Sequence, residues 1–532
     1  MTKTVKAEIC VIGTGAAGAV LATALARSGK HVVLLEQGKA YGAGAQATLT
    51  QLRTRRLVNE GVVDFAQDWP AEFSSPAPIC IGVPSSAGIS AVGGTTLHWS
   101  GACPRPREDE MNVRTRFGYG RDYPVSYQEI EPWLLRAEHE LGVAGDADNP
   151  YASPRSGPFP MEGHKPSEFE RRIFAPAAKR LGWATHSLPW AINSRAYDDR
   201  VECLRCRYCM ACPSGAKYSP DRSHLLRFGK FPNAELLAET KLLRFESSAN
   251  GNRIEIAHAA QRDGTKLVVK ADRYVLATGG IETPRMLLFS TDGHHKNGLG
   301  NAGGQLGVGH SDHLMATCTL VLKESASHTY GYPTIITDHH RAHLDRSKHG
   351  GFFFNLWPPG ASEGSDSVDV YMGKATTPTA LSLAGLRSSL ARGILGLVFL
   401  EMDAVNTLTL DPEKKDAWGM PLPRLTMKLT NRERAGLDAS SKAFNDLGSA
   451  MNAETISLGW TSGGYSTAAH PGGGAAMGSS PDKGACDSNC RVYGTDNLFL
   501  AGSAIFPHQP ANNPTLSIVA YALRLAKHLG AS

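Results

Sequence analysis

The feature that most limits what this chain can fold into is its first forty residues. Residues 7–12 (AEICVI) are a short apolar, β-branched run, the pattern of a strand buried on both faces. Gly13-Thr14-Gly15-Ala16-Ala17-Gly18 follows, then a helical stretch over 16–28 that Gly29 ends, then a second strand over 31–35 that finishes at Glu36. Each glycine has a reason in a nucleotide-binding turn. Gly13 permits the tight turn, Gly15 lets the backbone approach a pyrophosphate, and Gly18 lets the helix lie close to the strand. The helix N-terminus then offers free N–H groups and a favourable dipole to the phosphates. Glu36 stands where an acid accepts hydrogen bonds from a ribose and disfavours a 2′-phosphate. Together these elements predict a Rossmann-like dinucleotide site. They do not separate FAD from NAD.

Composition sets the outer limits. A chain of 532 residues has room for two or three domains. Its 42% hydrophobic and 20% charged content excludes a disordered or fibrous protein. Net charge is only +5, with no basic run, so nucleic acid is not an expected partner. No stretch reaches the roughly 18 uncharged apolar residues of a spanning helix. The nearest, residues 381–400, carries Arg387 and Arg392 and reads as an amphipathic or core helix. The N-terminus enters a strand at once, which leaves no room for a signal peptide and by itself reads as cytoplasmic.

Four of the ten cysteines, Cys203, Cys206, Cys209 and Cys212, are spaced C-x2-C-x2-C-x2-C and followed by Pro213. Short spacers let one loop wrap a cubane, and the run differs from that of bacterial ferredoxins by a last gap one residue shorter. Zinc is a rival, although structural zinc sites separate two C-x2-C knuckles by a long span. Disulfides are a weaker rival, because cysteines three apart bridge poorly. The expectation is an iron–sulfur cluster, 4Fe-4S, or 3Fe-4S if one cysteine is not a ligand. Arg200, Arg205 and Arg207 lie nearby in sequence, and positive charge there would raise its potential.

Four further motifs follow: 92–105 (VGGTTLHWSGACPR), 274–290 (YVLATGGIETPRMLLFS), 497–507 (NLFLAGSAIFP) and 512–516 (NNPTL). With the N-terminal turn they resemble, in order and spacing from residue 7 to about 525, the glucose–methanol–choline (GMC) family of FAD-dependent alcohol oxidoreductases. Within it the likeness is to bacterial sugar dehydrogenases, with pyranose oxidases as a neighbouring branch. The resemblance implies FAD held by Gly13, Gly15, Gly18, Glu36, Gly93, Gly94, Thr95, His98, Trp99 and Gly502. The 96–99 segment looks like the one through which pyranose oxidases attach flavin covalently. His98 is thus a candidate flavin linker, the alternative being a histidine packed beside the ring. The resemblance also implies His470, in Ala469-His470-Pro471-Gly472-Gly473-Gly474, as general base, and Asn513 as the group that orients the substrate hydroxyl. Histidine is suited to taking that proton near neutral pH, whereas an amide cannot share the role. Asp312-His313 resembles a family segment near the cofactor but carries no assigned role. His294–His295 and His339–His340 read as polar loop, and Cys486 and Cys490 as free thiols or a disulfide.

A cluster implies an outward route for electrons, hence a dehydrogenase and not an oxidase. The implied reaction is oxidation of a sugar or glucoside hydroxyl, leaning toward C3 of a glucoside on the likeness around His98. Glucose 1-dehydrogenase or a related sugar or polyol dehydrogenase is the alternative. A non-catalytic electron-transfer subunit is the alternative of a different class, and an NAD-linked oxidoreductase is more distant. The fold expected is α/β, α+β overall: a Rossmann-like FAD-binding domain with a GMC substrate domain of antiparallel sheet plus helices. Residues 1–199 form the first part of the FAD domain, with 151–163 as a connecting or lid-like loop. Residues 200–224 are the cluster loop and 225–309 the middle of the FAD domain. Residues 310–463 form the substrate domain, with strands at 316–322, 367–372 and 425–429. Residues 464–532 return to the FAD domain with the catalytic residues. Segments 352–357 and 328–332 are either sugar-lining or core. Similar bacterial enzymes are catalytic subunits whose small companion supplies an export signal and whose electrons pass to a cytochrome, which implies a periplasmic, membrane-associated location.

Overall fold

The structure is a computed structural model that describes residues 2–40, 88–357 and 392–532, apart from positions 206–208, 210, 211, 213, 325, 327–329, 343, 344, 404, 460–465, 468 and 469. β1 (Thr2–Ile12), α1 (Ala16–Arg27) and β2 (Val32–Leu35) form a parallel βαβ unit. β1 starts well before its apolar run because its exposed outer half still pairs with a neighbour, Thr2 opposite Lys266. Backbone pairing, not burial, sets its length. α1 is buried from Ala16 to Ala26, which explains a helix with almost no polar face. A Cβ at Gly18 would run into the Gly13 carbonyl, so only glycine lets this helix lie on the turn.

β3 (Ala234–Leu237) adds to β2, while β4 (Thr240–Ser247), β5 (Ile254–Gln261) and β6 (Lys266–Leu276) form an antiparallel meander. The sheet order is β3-β2-β1-β6-β5-β4, and Leu498–Leu500 adds in parallel beside the inner end of β6. The C-terminal segment therefore completes a sheet that the N-terminus begins. α2 (Tyr127–Leu141), α3 (Gly279–Phe289), α4 (Asn431–Ala450) and α5 (Thr515–His528) are the longer remaining helices, and α5 packs between α1 and α2.

A second sheet, antiparallel, has the order β8-β9-β7-β10, built from β7 (Leu314–Leu322), β8 (Phe352–Trp357), β9 (Gly393–Leu400) and β10 (Ala453–Gly459). α4 covers one face, and Phe444 sits against Gly396 and Phe354. Residues 406–415, 421–426 and 308–310 make a small third sheet.

Three expectations change. The second half of 381–400 is the strand β9, not a helix; 381–391 lie outside the described residues. β9 is sandwiched between β7 and β8 and buried on both faces, so its apolar run has no period to read. The strand expected at 425–429 is Pro421–Thr426 in the small third sheet, and the one at 367–372 lies outside the described residues. His339 and His340 form a short helix instead of a polar loop, and His340 is buried with its ring 4.5 Å from that of Phe352 and 4.6 Å from that of Trp183.

Candidate active site

A cavity of about 350 Å³ is lined both by the β1–α1 turn and by the face of the second sheet away from α4. At its first end Gly15 caps α1 without any side-chain cap, and a Cβ there would meet only Thr96 Oγ1, at 4.0 Å, so the position opens into the cavity. Thr96 Oγ1 accepts from the Ala16 amide at 3.1 Å. Glu36 lines the cavity and also fastens its rim. Its Oε2 accepts from the Thr14 amide (3.1 Å) and hydroxyl (2.6 Å), and Oε1 accepts from the Gly38 amide (2.9 Å). Thr14 Oγ1 in turn accepts from Gly93 N at 2.9 Å, tying the two glycine turns together. Burial pushes the Glu36 carboxyl above its ordinary value against these bonds. Gly13, Gly94, Thr95, His98, Trp99 and Gly502 all reach the cavity; Gly18 and Gly93 shape it from behind. A glycine cradle at a helix N-terminus, followed by a buried acid, fits the pyrophosphate and ribose of FAD.

At the far end, residues distant in sequence converge. Asn513 Nδ2 lies 3.3 Å from His470 Nε2, and His313 Nδ1 lies 2.9 Å from His470 Nδ1. Asp312 pins the backbone of both histidines: its Oδ1 accepts from His313 N (2.6 Å) and His470 N (2.9 Å). Gln509 Nε2 donates to the His470 carbonyl at 2.7 Å. The glycines after His470 let its segment lie against residues 309–311; Gly473 has φ +72°, and a Cβ there would strike the Gly309 carbonyl. Ser311 and Gly472 exchange backbone hydrogen bonds at 2.9 and 2.8 Å. Burial, with His313 beside it, holds His470 well below the usual histidine range, and burial sets His313 at about 4. Both rings are neutral at pH 7, as a proton acceptor requires. His313 had no role in the sequence reading; the Asp-His pair was its only signal.

The wall opposite the turn is part of the face of the second sheet that lies away from α4. Along β8, Phe352, Phe354 and Leu356 join the core under α4, while Asn355 and Trp357 face the cavity together with Leu397 and Phe399 of β9. The segment is therefore both core and lining, divided by the two-residue period of a strand. Asn355 Oδ1, Trp357 Nε1 and Asn513 Oδ1 are buried without a hydrogen-bond partner among the described residues.

The sequence model of the GMC oxidoreductase family matches residues 11–315, and its C-terminal counterpart matches 403–522. The chain is a GMC oxidoreductase. It is thus an FAD-dependent enzyme acting on CH–OH groups. Over 98% of its length it is 28% identical to the fructose dehydrogenase large subunit of Gluconobacter japonicus, 98% of which is covered. It is 25% identical to the gluconate 2-dehydrogenase flavoprotein of Pantoea cypripedii, with 98% and 93% covered. A solved structure of an Aspergillus oryzae formate oxidase variant superposes over 99% of both chains with a TM-score of 0.65 at 14% identity, a likeness of fold.

In this GMC oxidoreductase Cys203, Cys209 and Cys212 line one small cavity with Lys217, Tyr330 and Tyr332; Cys206 lies outside the described residues. Arg205 N donates to Cys203 Sγ at 3.4 Å, and Cys212 Sγ lies 3.4 Å from Ser214 Oγ. Among the described residues no three His, Cys, Asp or Glu side chains are grouped to hold a single metal ion. Lys217 Nζ donates to the Trp99 carbonyl at 2.5 Å, so this cavity and the flavin cavity share a wall. Of the two readings of 328–332, core is the one the structure shows for Tyr330 and Tyr332, which pack with the cysteine loop; 328 and 329 lie outside the described residues. Arg200 turns inward to the Leu141 and Ala216 carbonyls, while Arg205 reaches the cysteine cavity, Arg222 donates to the Cys212 carbonyl at 3.4 Å, and Arg207 lies outside the described residues. Cys486 and Cys490 are buried free thiols. Among the described residues no helix is long and apolar enough to cross a membrane.

Proposed function

We propose that this oxidoreductase is a dehydrogenase for a sugar or glucoside hydroxyl, and that it sends electrons outward to a separate acceptor. The observation that carries the reading is the cavity wall beside His470. Asn355 Oδ1 and Trp357 Nε1 are an acceptor and a donor, buried and unmatched among the described residues. A substrate with several hydroxyls supplies partners for both, which a simple alcohol does not. The names of two relatives, a fructose dehydrogenase and a gluconate 2-dehydrogenase, support the same class.

FAD, when bound, supplies the hydride acceptor. His470 takes the hydroxyl proton at Nε2, and Asn513 donates its amide hydrogen to the same substrate oxygen and aims it at that nitrogen. Leu397 and Phe399 close the wall with apolar surface and exclude water. Cys203, Cys206, Cys209 and Cys212 would hold an iron–sulfur cluster, which would supply one-electron transfer. What supports this reading is the sequence spacing together with the cavity shared by the three described cysteines. The further reading is a cytochrome acceptor and a small companion subunit that carries the folded chain to the periplasm. The word "subunit" in the name of the fructose dehydrogenase relative supports a multi-chain assembly. Oxidation at C3 of a glucoside rests on the His98 segment alone, as does a covalent His98–flavin bond. Acid precipitation that releases all the flavin would remove that bond from the reading.

The test is the anaerobic absorption spectrum before and after adding a panel of sugars and glucosides. Bleaching of the oxidised flavin bands by a sugar supports the assignment, and bleaching by methyl glucoside supports C3 over C1, because its anomeric hydroxyl is blocked. If dithionite bleaches the flavin and no sugar does, the sugar assignment fails, and other alcohols become the substrates to test. Iron and acid-labile sulfide analysis of the purified protein tests the cluster.

A further inference from the structure

His313 makes two short contacts through its two ring nitrogens. Nε2 lies 2.6 Å from the Pro510 carbonyl oxygen and Nδ1 lies 2.9 Å from His470 Nδ1. A carbonyl oxygen only accepts, so at 2.6 Å the proton of His313 is on Nε2; the opposite tautomer would press two lone pairs together. His313 is buried and neutral, which leaves Nδ1 with a lone pair and no hydrogen. It can only accept from His470, so the hydrogen between the rings belongs to His470 Nδ1. A neutral His470 protonated at Nδ1 has its lone pair on Nε2, the nitrogen 3.3 Å from the Asn513 amide at the cavity.

We infer that His313 is a positioning residue that sets the tautomer of His470, keeping hydrogen on Nδ1 and the proton-accepting lone pair on Nε2. The inference rests on the reading of His470 as the base. It extends the usual logic of a catalytic histidine, in which the group bonded to one ring nitrogen decides the state of the other. Here that group is a second, neutral histidine and not a carboxylate. A neutral acceptor raises the proton affinity of the base less than a carboxylate would, and burial keeps His470 unprotonated at rest.

The surroundings leave this arrangement intact. Gln509 Nε2 is 3.4 Å from His313 Nε2 but donates to the His470 carbonyl at 2.7 Å. The ring of Phe399 flanks both histidines, with centroids 6.3 Å from His313 and 5.9 Å from His470. Asp312 faces their backbone amides. Glu401, Arg341 and His508 act on His313 from further off; Glu401 is tied to Arg346 and to His508, at 3.0 Å from the latter.

The decisive measurement is nitrogen NMR of the flavin-loaded enzyme labelled with ¹⁵N-histidine, His470 being assigned by the signals lost in His470→Gln. In the unmodified enzyme His470 is expected to show a protonated Nδ1 and a bare Nε2. In His313→Phe, which keeps a ring but no acceptor, the hydrogen should redistribute toward Nε2. In His313→Asn, whose Oδ1 falls near the lost Nδ1, the Nδ1–H form should return. Flavin reduction by D-glucose should slow at least about 10-fold in His313→Phe with little change in half-saturation, and recover in His313→Asn. A protonated Nε2 on His470 in the unmodified enzyme overturns the inference, and that spectrum needs only the His470→Gln protein for its assignment, not a His313 variant. So does a His313→Phe protein that keeps Nδ1–H and the full rate. Full flavin reduction in His470→Gln would instead remove the base assignment, whatever the tautomer.

Discussion

Replacing Asn355 with leucine should give a more stable protein and a poorer enzyme at once. Asn355 is 3% exposed on β8, and its Oδ1 has no partner among the described residues. A buried acceptor left unmet costs about 1–3 kcal/mol, which leucine removes while keeping the branching of the side chain and adding contact to Leu397 across the strand pair. For 532 residues the unfolding entropy is about 1.1 kcal/mol per kelvin, so the melting temperature should rise by about 1–3 °C. The functional effect has the opposite sign. One neutral hydrogen bond to substrate contributes about 0.5–1.5 kcal/mol, which predicts a roughly 2- to 12-fold lower kcat/KM on a sugar. A monohydric alcohol, with no second hydroxyl to lose, should be unaffected. Calorimetry and anaerobic stopped-flow flavin reduction read the two effects separately. A lower melting temperature with unchanged kcat/KM would mean that Asn355 is held by the protein in a structural role, and the account of the cavity wall would be wrong.

His470→Ala should keep flavin and lose about 10²- to 10⁴-fold in turnover, the contribution of a positioned base; near-normal single-turnover reduction sinks the assignment. Because His470 titrates well below the usual histidine range, the acid limb of kcat belongs there too, and kcat should stay level from about pH 8 to about pH 6. Burial holds His164, His310 and His313 at about 4 and His340 at about 3, so each folded value lies below the unfolded one. Their contribution is complete above about pH 6.5 and is lost as pH falls toward 4, on the order of 2 kcal/mol per histidine by pH 5. Equal urea midpoints at pH 7 and pH 5 would contradict this burial. Gly18→Ala should yield protein depleted of flavin or insoluble, since the new Cβ meets the Gly13 backbone, which cannot move aside. An ordinary ratio of flavin to protein absorbance would refute that.

How much was legible differs element by element. Apart from the start of β1, which pairing with β6 carries back to Thr2, the β1–α1–β2 unit was placed to within a residue, because its signals are short-range: an apolar β-branched run, three glycines and an acid at fixed offsets. His470 and Asn513 were reached through motif order along the chain, and the structure brings them to 3.3 Å. β9 was misread as helix, because a central strand buried on both faces carries no periodicity. His340 looked polar in a His-His-Arg string, yet Trp183 and Phe352 enclose it from remote parts of the chain.

By itself the sequence determined a dinucleotide turn, a loop of four closely spaced cysteines, and a histidine in a glycine-rich segment. These are properties of backbone sterics and of spacing within a few residues, and no neighbour can alter them. Only the tertiary structure decided that Asn355 and Trp357 face the cavity while Phe354 faces α4, because that follows from which strand β8 pairs with and which face α4 covers. It also decided the partner of His470. His313 is 157 residues away, and its two ring nitrogens acquire opposite roles only once the chain has set Pro510 against one and His470 against the other.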